Sequence, residues 1–254
     1  MSRDTAPVML VTGGTGSIGS EIVAQAAAAG WTVAIHGRRP ALVEKSIAAV
    51  AAGDPGASSS GHAADFSEAG AIESLVEEVA ARHGRIDAVV DCAVGGPAGV
   101  TGLFADTDPA AYAGLADQSV VAFQRLAHAA LPWLARSGGC LVAFISDAGI
   151  FAAPRQAMIG AMRAATIGFI RNLAVEVARQ GVRAHAISPS FVEDTAVARR
   201  LAEAGAERME AARKRAGLGL PTPADIAPLV LFLCGPDARR ITGQVISING
   251  GLNA

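Results

Sequence analysis

The sequence is poor in several kinds of side chain, and each shortage excludes a class of protein. Its three cysteines, Cys92, Cys140 and Cys234, are far apart and lack the spacing of metal ligands, which predicts reduced, buried thiols and no metal site. The formal net charge is only −2 and no run of lysine and arginine occurs, which argues against nucleic acid and anionic membranes as partners.

Long apolar runs are missing as well. No stretch reaches the roughly 18 residues of a membrane-spanning helix, and the polar segment Met1 to Ala6 is too short for a signal peptide. We therefore expect a cytoplasmic protein whose partners are small molecules or other proteins.

What the sequence does have is a short apolar run, Val8 to Val11, that leads through a glycine-rich turn into an alanine-rich helical pattern, Ile18 to Ala29. The apolar run indicates a buried parallel strand, and Gly13, Gly16 and Gly19 let the backbone turn and approach a ligand closely. The free N–H groups and the dipole of the helix start favour a phosphate. The pattern predicts a dinucleotide site, although a glycine-rich turn between a strand and a helix can also have no role in ligand binding.

Strand and helix patterns then alternate along the chain. Predicted strands at Thr32 to Ile35, Gly61 to Asp65 and Ala88 to Asp91 are separated by helical patterns at Ala41 to Ala52 and Ala71 to His83. This alternation predicts an α/β fold: a single doubly wound Rossmann-type domain over residues 1–254, with a parallel, seven-stranded sheet and helices on both faces.

Two arginines follow the second strand and bear on the choice of cofactor. An acidic side chain at this place would hydrogen-bond the adenosine ribose of NAD, whereas Arg38 and Arg39 suit the 2′-phosphate of NADP. The alternative is a solvated turn before Pro40. If a dinucleotide binds, we predict NADP in preference to NAD.

These motifs resemble those of the short-chain dehydrogenase/reductase family. They occur in the same order and at the same spacing as in that family, over essentially the whole chain. The matching segments are Thr12 to Gly19, Asp65, Gly84 to Asp87 with Asp91-Cys92-Ala93, Ala129 to Pro132, Ser146 to Gly149, Gly181 to Pro189, Asp225 to Ala227, and Ile241 to Gly251. The resemblance implies NAD(P)-dependent oxidation of alcohols or reduction of ketones, and a small substrate lobe at about 191–220.

The resemblance also implies a set of cofactor-binding residues. They are Gly13, Ser17, Ile18, Gly19, Arg38, Asp65, Phe66, Ala93, Pro189 and Val192. Ser17 and Val94 stand where members of the family keep glycine, and Asp91-Cys92 replaces a pair of asparagines. Because these changes add bulk and negative charge, the resemblance leaves cofactor binding open.

The residues that the family uses for catalysis are mostly replaced. Its reaction needs a serine that positions the carbonyl, a tyrosine that transfers the proton, a lysine that lowers the tyrosine pKa, and an asparagine that holds a water relay. Ser146 matches the serine, but Ile159, Arg163 and Ser119 fall at the other three positions. The only tyrosine, Tyr112, lies in the helix before Ser119. The predicted catalytic set, Ser146, Arg163 and Ser119, is therefore degenerate.

Three hypotheses about function follow. The first is a catalytically silent subunit, a pseudoenzyme paired with a complete paralogous subunit of the same family. The second is an oxidoreductase with a non-standard site that uses Ser146 and Arg163, and the third is a nucleotide-sensing or structural protein. In each case we expect a homo- or hetero-oligomer, a dimer or tetramer, because the family pairs through the helices at about Pro109 to Arg136 and Ala153 to Gln180.

Other side chains are assigned simpler roles. We expect Asp147, Arg155, Glu193 and Asp194 to be solvated loop residues and His185 to be a hydrogen-bonded structural residue. The apolar side chains of the two pairing helices are expected to supply surface for association: Val120, Phe123, Leu126, Ile167, Phe169 and Leu173.

Overall fold

The computed structural model of the protein describes residues 6–93, 98–203 and 207–253. Its strands are β1 Val8–Thr12, β2 Thr32–Gly37, β3 Ser59–Ala63, β4 Ala88–Asp91, β5 Cys140–Phe144, β6 Arg183–Pro189 and β7 Val245–Ile248. They form one seven-stranded sheet in the order β3-β2-β1-β4-β5-β6-β7, in which every neighbouring pair is parallel.

Helices connect the strands. Their bounds are α1 Ser17–Ala28, α2 Pro40–Gly53, α3 Ala71–His83, α4 Tyr112–Ala116, α5 Ala122–Ser137, α6 Ala157–Val177, α7 Ala196–Glu203, α8 Glu207–Arg215 and α9 Pro223–Cys234. A π-helical turn, Asp117–Val121, joins α4 to α5. The helix predicted over Pro109 to Arg136 is therefore interrupted at a turn that contains Ser119.

The two faces of the sheet carry separate apolar cores, because successive side chains of a strand point to opposite faces. In β1, Val8 and Leu10 belong to the core beneath α3, α5 and α6. Met9 and Val11 belong to the core beneath α1 and α9. The prediction of a doubly wound α/β domain with seven parallel strands is confirmed.

The segment predicted as a substrate lobe contains the short helices α7 and α8. A small third core forms here from Met209, Ala212, Ala216, Leu220 and Leu252, with Phe191 and Ala198 packed against it. Arg213 of α8 donates from Nε to Glu193 Oε1 at 2.6 Å. These contacts join the segment after β6 to the C-terminal residues beside the sheet edge.

One predicted strand is displaced in the structure. The third strand starts at Ser59 and ends at Ala63, because its register pairs Val33 of β2 with Ser59 and Gly37 with Ala63. Asp65 therefore lies in the loop after β3, at the carboxyl edge of the sheet.

Candidate functional site

The turn between β1 and α1 forms a cradle that depends on its glycines. Gly13 has φ +65°, and a Cβ at this residue would lie 2.6 Å from the carbonyl oxygen of Cys92. A Cβ at Gly19 would overlap the carbonyl oxygen of Gly13. No side chain caps α1 at Gly16, so the first N–H groups of the helix remain available to an anion.

Two side chains that depart from the family pattern already have hydrogen-bond partners of their own. Ser17 Oγ accepts a hydrogen bond from the N–H of Ala196 at 3.3 Å, at the start of α7. Asp91 Oδ1 accepts from the Thr12 hydroxyl and, at 3.2 Å, from the N–H of Ala93. The residues present therefore fit the pyrophosphate of a dinucleotide.

The surroundings of Asp91 act on the pKa of its carboxyl in two directions. Loss of hydration at the end of β4 raises the pKa of this carboxyl, while the bonds from Thr12 and Ala93 and the attraction of Arg163 act in the opposite direction. The Asp91 carboxylate therefore already has two hydrogen-bond donors and the attraction of a cation.

The residues predicted to contact the adenosine half of a cofactor lie after β2 and β3. Arg38 is exposed and lies close enough to Asp65 to lower the pKa of that carboxyl, although the bonds from Ser67 to Asp65 have the larger effect. Phe66 stacks on His36, with ring centroids 4.4 Å apart. His36 was not among the residues that the sequence motifs marked, although it directly precedes the Gly37-Arg38 pair.

The remaining predicted cofactor residues lie at the same edge of the sheet. Ala93 follows β4 by two residues, Pro189 ends β6, and Val192 is buried three residues later. Because the carboxyl ends of parallel strands share one edge, the structure brings these residues to the side of the sheet where the glycine turn lies.

Ser146 lies two residues after the end of β5 and begins a 3₁₀ turn, Asp147–Gly149. Its Oγ accepts from the N–H of Ala148 at 3.4 Å. A Cβ at Gly149 would lie 2.5 Å from Cβ of Arg163, so this turn packs directly on α6. The glycine thus permits the close approach that places Ser146 beside the helix with Ile159 and Arg163.

The expectation that Asp147 is a solvated loop residue is wrong. Asp147 is 3% exposed, and its carboxylate accepts four hydrogen bonds from neutral side chains. Oδ1 accepts from Ser188 at 2.7 Å and Ser247 at 3.3 Å, and Oδ2 from Asn249 at 2.8 Å and Asn253 at 2.9 Å. The donors come from β6, from β7 and from the residues after it, so the sequence gives no local signal for this cluster.

Arg163 is buried in α6. Burial lowers the pKa of its guanidinium, and the attraction of Asp91 partly offsets this. The guanidinium makes no hydrogen bond to the part of the chain that the structure describes. Ile159 is half-buried one helical turn earlier on the same face.

Ser119 lies in the π-helical turn, and its buried Oγ has no hydrogen-bond partner among the described residues. Tyr112 is engaged elsewhere: its hydroxyl lies 2.6 Å from Oγ1 of Thr107, and its ring stacks on Phe104 at a centroid distance of 6.2 Å. The lysines lie on α2 and α8.

A cavity of about 280 Å³ opens beside Ser146, between the turn after β5, the segment after β6 with α8, and the C-terminal residues. Its described lining is Ser146, Asp147, Ala148, Phe151, Ala152, Ala153, Pro154, Gln156, Ser190, Phe191, Ala211, Ala212, Arg215, Leu252 and Asn253. None of these is a tyrosine, histidine, lysine or cysteine. The only titratable groups are the Asp147 carboxylate, which is saturated with donors, and the Arg215 guanidinium.

His185 differs from its expected role. It is fully buried on β6, but within the described ranges neither ring nitrogen makes a hydrogen bond of normal geometry. Burial, reinforced by the charge of Arg183, lowers the pKa of His185 to about 4, although a contact with the backbone of Ile241 acts in the opposite direction. The residue is therefore a neutral core side chain and takes no part in the site.

Most of the apolar residues expected to supply surface for association are buried within the chain. Phe123, Leu126, Ile167 and Leu173 are buried, because they face the sheet and its neighbouring helices. The exposed large apolar side chains on these helical segments are Val121 and Val175. In the described ranges no helix has the length and hydropathy needed to cross a membrane.

Comparison with known proteins assigns the chain to a family. Residues 13–253 match the family model described as Enoyl-(Acyl carrier protein) reductase. The chain is 31% identical over 251 residues to 2-(S)-hydroxypropyl-CoM dehydrogenase 3 of Xanthobacter autotrophicus, which covers 97% of this chain and 96% of that protein. The chain belongs to the short-chain dehydrogenase/reductase family and has the fold of its NAD(P)-dependent oxidoreductases.

Solved structures agree with this assignment. A short-chain type dehydrogenase/reductase from Mycobacterium ulcerans superposes with a TM-score of 0.90 at 27% identity, over 97% of this chain and 89% of that one. A short chain oxidoreductase from Pseudomonas aeruginosa PAO1, described as containing an atypical catalytic center, gives a TM-score of 0.88 at 28% identity over 97% of each chain.

Proposed function

We propose that this protein binds NADP(H) and is the catalytically silent subunit of a hetero-oligomeric alcohol dehydrogenase or ketoreductase, completed by a paralogous subunit. One observation carries the proposal. Beside Ser146, the described residues include no group that can transfer a proton near neutral pH, since Ile159 is aliphatic and the carboxylate of Asp147 is saturated. The guanidinium of Arg163 holds its protons too tightly to act as an acid.

In a complete active site of this family, bound NADPH would supply the hydride for carbonyl reduction. The pyrophosphate would be held by the N–H groups that begin α1, and the 2′-phosphate by Arg38. The guanidinium groups of Arg38 and Arg39 form no hydrogen bond or ion pair with the described residues. Thr15 lies beside them, since its Oγ1 is 2.7 Å from where a Cβ of Gly37 would be. An exposed pair of cations next to a hydroxyl is complementary to a phosphate monoester.

Calorimetric titration tests the cofactor preference. We expect tighter binding of NADPH than of NADH, and Arg38→Asp should reverse that order. Arg82→Asp, an equal change of charge on the exposed face of α3, should leave the order intact. Equal weak binding of both dinucleotides, or no binding, would show that Arg38 and Arg39 form only a solvated turn.

Steady-state assays test the silence of the site. General acid–base assistance contributes roughly 10²- to 10⁴-fold, so the purified chain should reduce ordinary ketones at or below about one hundredth of the rate of a complete relative. Activity should return in complex with a paralogue that carries tyrosine and lysine. Co-purification and sedimentation identify such a complex, and a monomer with and without the natural partner would contradict the assembly.

A second candidate function has an observation of its own. Arg163 is buried opposite Asp91, and Ser119 adds an unpartnered hydroxyl, an arrangement able to stabilise a developing alkoxide with Ser146. The Pseudomonas aeruginosa neighbour, described as having an atypical catalytic center, supports this alternative. Robust wild-type turnover that collapses in Ser146→Ala would favour an enzyme with a non-standard site over a silent subunit.

A further inference from the structure

His36, at the carboxyl end of β2, is 2% exposed and makes two hydrogen bonds of opposite direction. Its Nδ1 accepts from the N–H of Gly13 at 3.4 Å, and its Nε2 donates to the carbonyl oxygen of Ala64 at 3.0 Å. Because a backbone N–H only donates and a carbonyl only accepts, these contacts require the neutral ring with its proton on Nε2.

The same residue joins the glycine turn to the loop after β3. The carbonyl oxygen of His36 accepts from the N–H of Gly14 at 2.9 Å, so both the ring and the backbone of His36 hold the turn. On the other side, the ring is parallel to Phe66 within 3°. A single buried side chain thus fixes the relative positions of Gly13 and of Asp65-Phe66, which the family resemblance assigns to the cofactor.

We propose that His36 is a positioning residue for the dinucleotide: its neutral ring fixes the Gly13 N–H and the Phe66 ring, so that the turn and the loop after β3 are already oriented before the cofactor binds. This inference rests on the cofactor-binding part of the proposed function. On its other side Gly13, which is in the left-handed region, lies against the backbone of Cys92.

A dependence of cofactor affinity on pH follows from the geometry. Protonation would place an N–H on Nδ1, opposite the N–H of Gly13, and the orienting contact would be lost. Burial is the main cause that lowers the pKa of His36; the nearby His62 lowers it further, while the bond to Ala64 and the charge of Asp65 raise it. Affinity should therefore be constant above the ordinary histidine pKa and fall as the pH drops through the lowered value.

The test is calorimetric titration with NAD between about pH 5 and about pH 8. NAD is the probe because it lacks the 2′-phosphate of NADP, which titrates near pH 6 itself. The wild-type dissociation constant should rise by up to tenfold per pH unit below the pKa of His36. His36→Asn, whose amide oxygen can still accept from Gly13, should bind with an affinity that does not change with pH.

His36→Phe keeps the ring stack and loses both hydrogen bonds. We expect it to bind NAD at least about fivefold more weakly than the wild type at about pH 8, where His36 is neutral. Urea unfolding of each variant at that pH separates loss of affinity from loss of fold. If the phenylalanine variant does not fold, the asparagine profile and the ¹⁵N shifts of the wild-type imidazole still decide the question.

The outcomes are distinct. Three results would overturn the role of His36 and leave the cofactor proposal standing. They are an identical pH profile in the wild type and His36→Asn, wild-type affinity in His36→Phe, and an imidazole tautomer with its proton on Nδ1. A wild-type chain that binds neither NAD nor NADP across this pH range would refute both.

Discussion

Replacing Asp147 by asparagine should destabilise the protein by about 3 kcal/mol. The amide keeps one acceptor oxygen, but its NH₂ group replaces the other oxygen. The two donors that bind that oxygen lose their acceptor and then face the NH₂ group, which is itself a donor. Hydrogen bonds to a charged group contribute roughly 1.5–3 kcal/mol each. Removing the buried charge recovers part of this loss, because a neutral amide is less costly to bury. The net destabilisation therefore lies near the lower end of the range expected for two such bonds.

Urea unfolding followed by circular dichroism, together with calorimetry, measures this loss. For a domain of this size, about 3 kcal/mol corresponds to a decrease in Tm of roughly 6–12 °C. Ser247→Ala is the matched control, because Ser247 makes the longest of the four contacts, at 3.3 Å, and should cost less than about 1 kcal/mol. The exchange Asp147→Asn with Asn249→Asp returns a carboxylate to the cluster and should restore at least half of the loss.

A variant Asp147→Asn within about 0.5 kcal/mol of the wild type would refute this argument. It would mean that the four bonds to the carboxylate only balance the cost of removing the charge from water. The cavity beside Ser146 would then owe its shape to the surrounding apolar side chains and not to this cluster.

Two further predictions concern the core and the turn. The pKa of His185 is lowered from its ordinary value of 6.5 to about 4, so between these values the unfolded chain binds a proton that the folded chain does not. As the pH falls from about 7.5 to about 5, this residue should therefore lower the free energy of unfolding by about 2 kcal/mol. His185→Leu should remove that difference in urea unfolding. An equal change of unfolding free energy with pH in the wild type and the variant would contradict this prediction. Gly19→Ala should weaken NADPH binding at least about tenfold by calorimetry, since its Cβ overlaps the Gly13 carbonyl, whereas Gly16→Ala, with 3.2 Å to the same oxygen, should change it little.

Local patterns in the sequence predicted most of the fold. The apolar run before Gly13 and the alanine-rich segment after it gave the first strand and helix to within one residue, and Ala71–His83 and Ala88–Asp91 have the predicted bounds. These elements are determined by the periodicity of their apolar residues and by a turn whose geometry only glycine accommodates at Gly13 and Gly19. The start of β3 was missed because its residues Ser-Ser-Gly-His-Ala carry no apolar run, and pairing with β2 defines the strand.

The site was predictable only where a motif marked it. Ser146 and the glycine turn follow from short motifs, but the burial of Asp147 depends on donors up to 106 positions away along the chain. His36 shows the same limit, since its contacts to Gly13 and Ala64 exist only once three strands are aligned. A loop position in the sequence predicts a solvated carboxylate at Asp147, and the long-range hydrogen bonds that bury it have no local signal.

The replacements at the site are coupled, and this affects any attempt to restore the family's chemistry. Arg163 and Asp91 attract each other, so the cation at the lysine position already interacts with an anion. In a variant with Ile159→Tyr and Arg163→Lys, the new ammonium would be drawn to Asp91 and would lower the tyrosine pKa less. Adding Asp91→Asn should therefore raise ketone reduction above that of the double variant and shift the pKa of its pH–rate profile downward. Equal rates and equal profiles in the two variants would show that Asp91 does not compete for the cation.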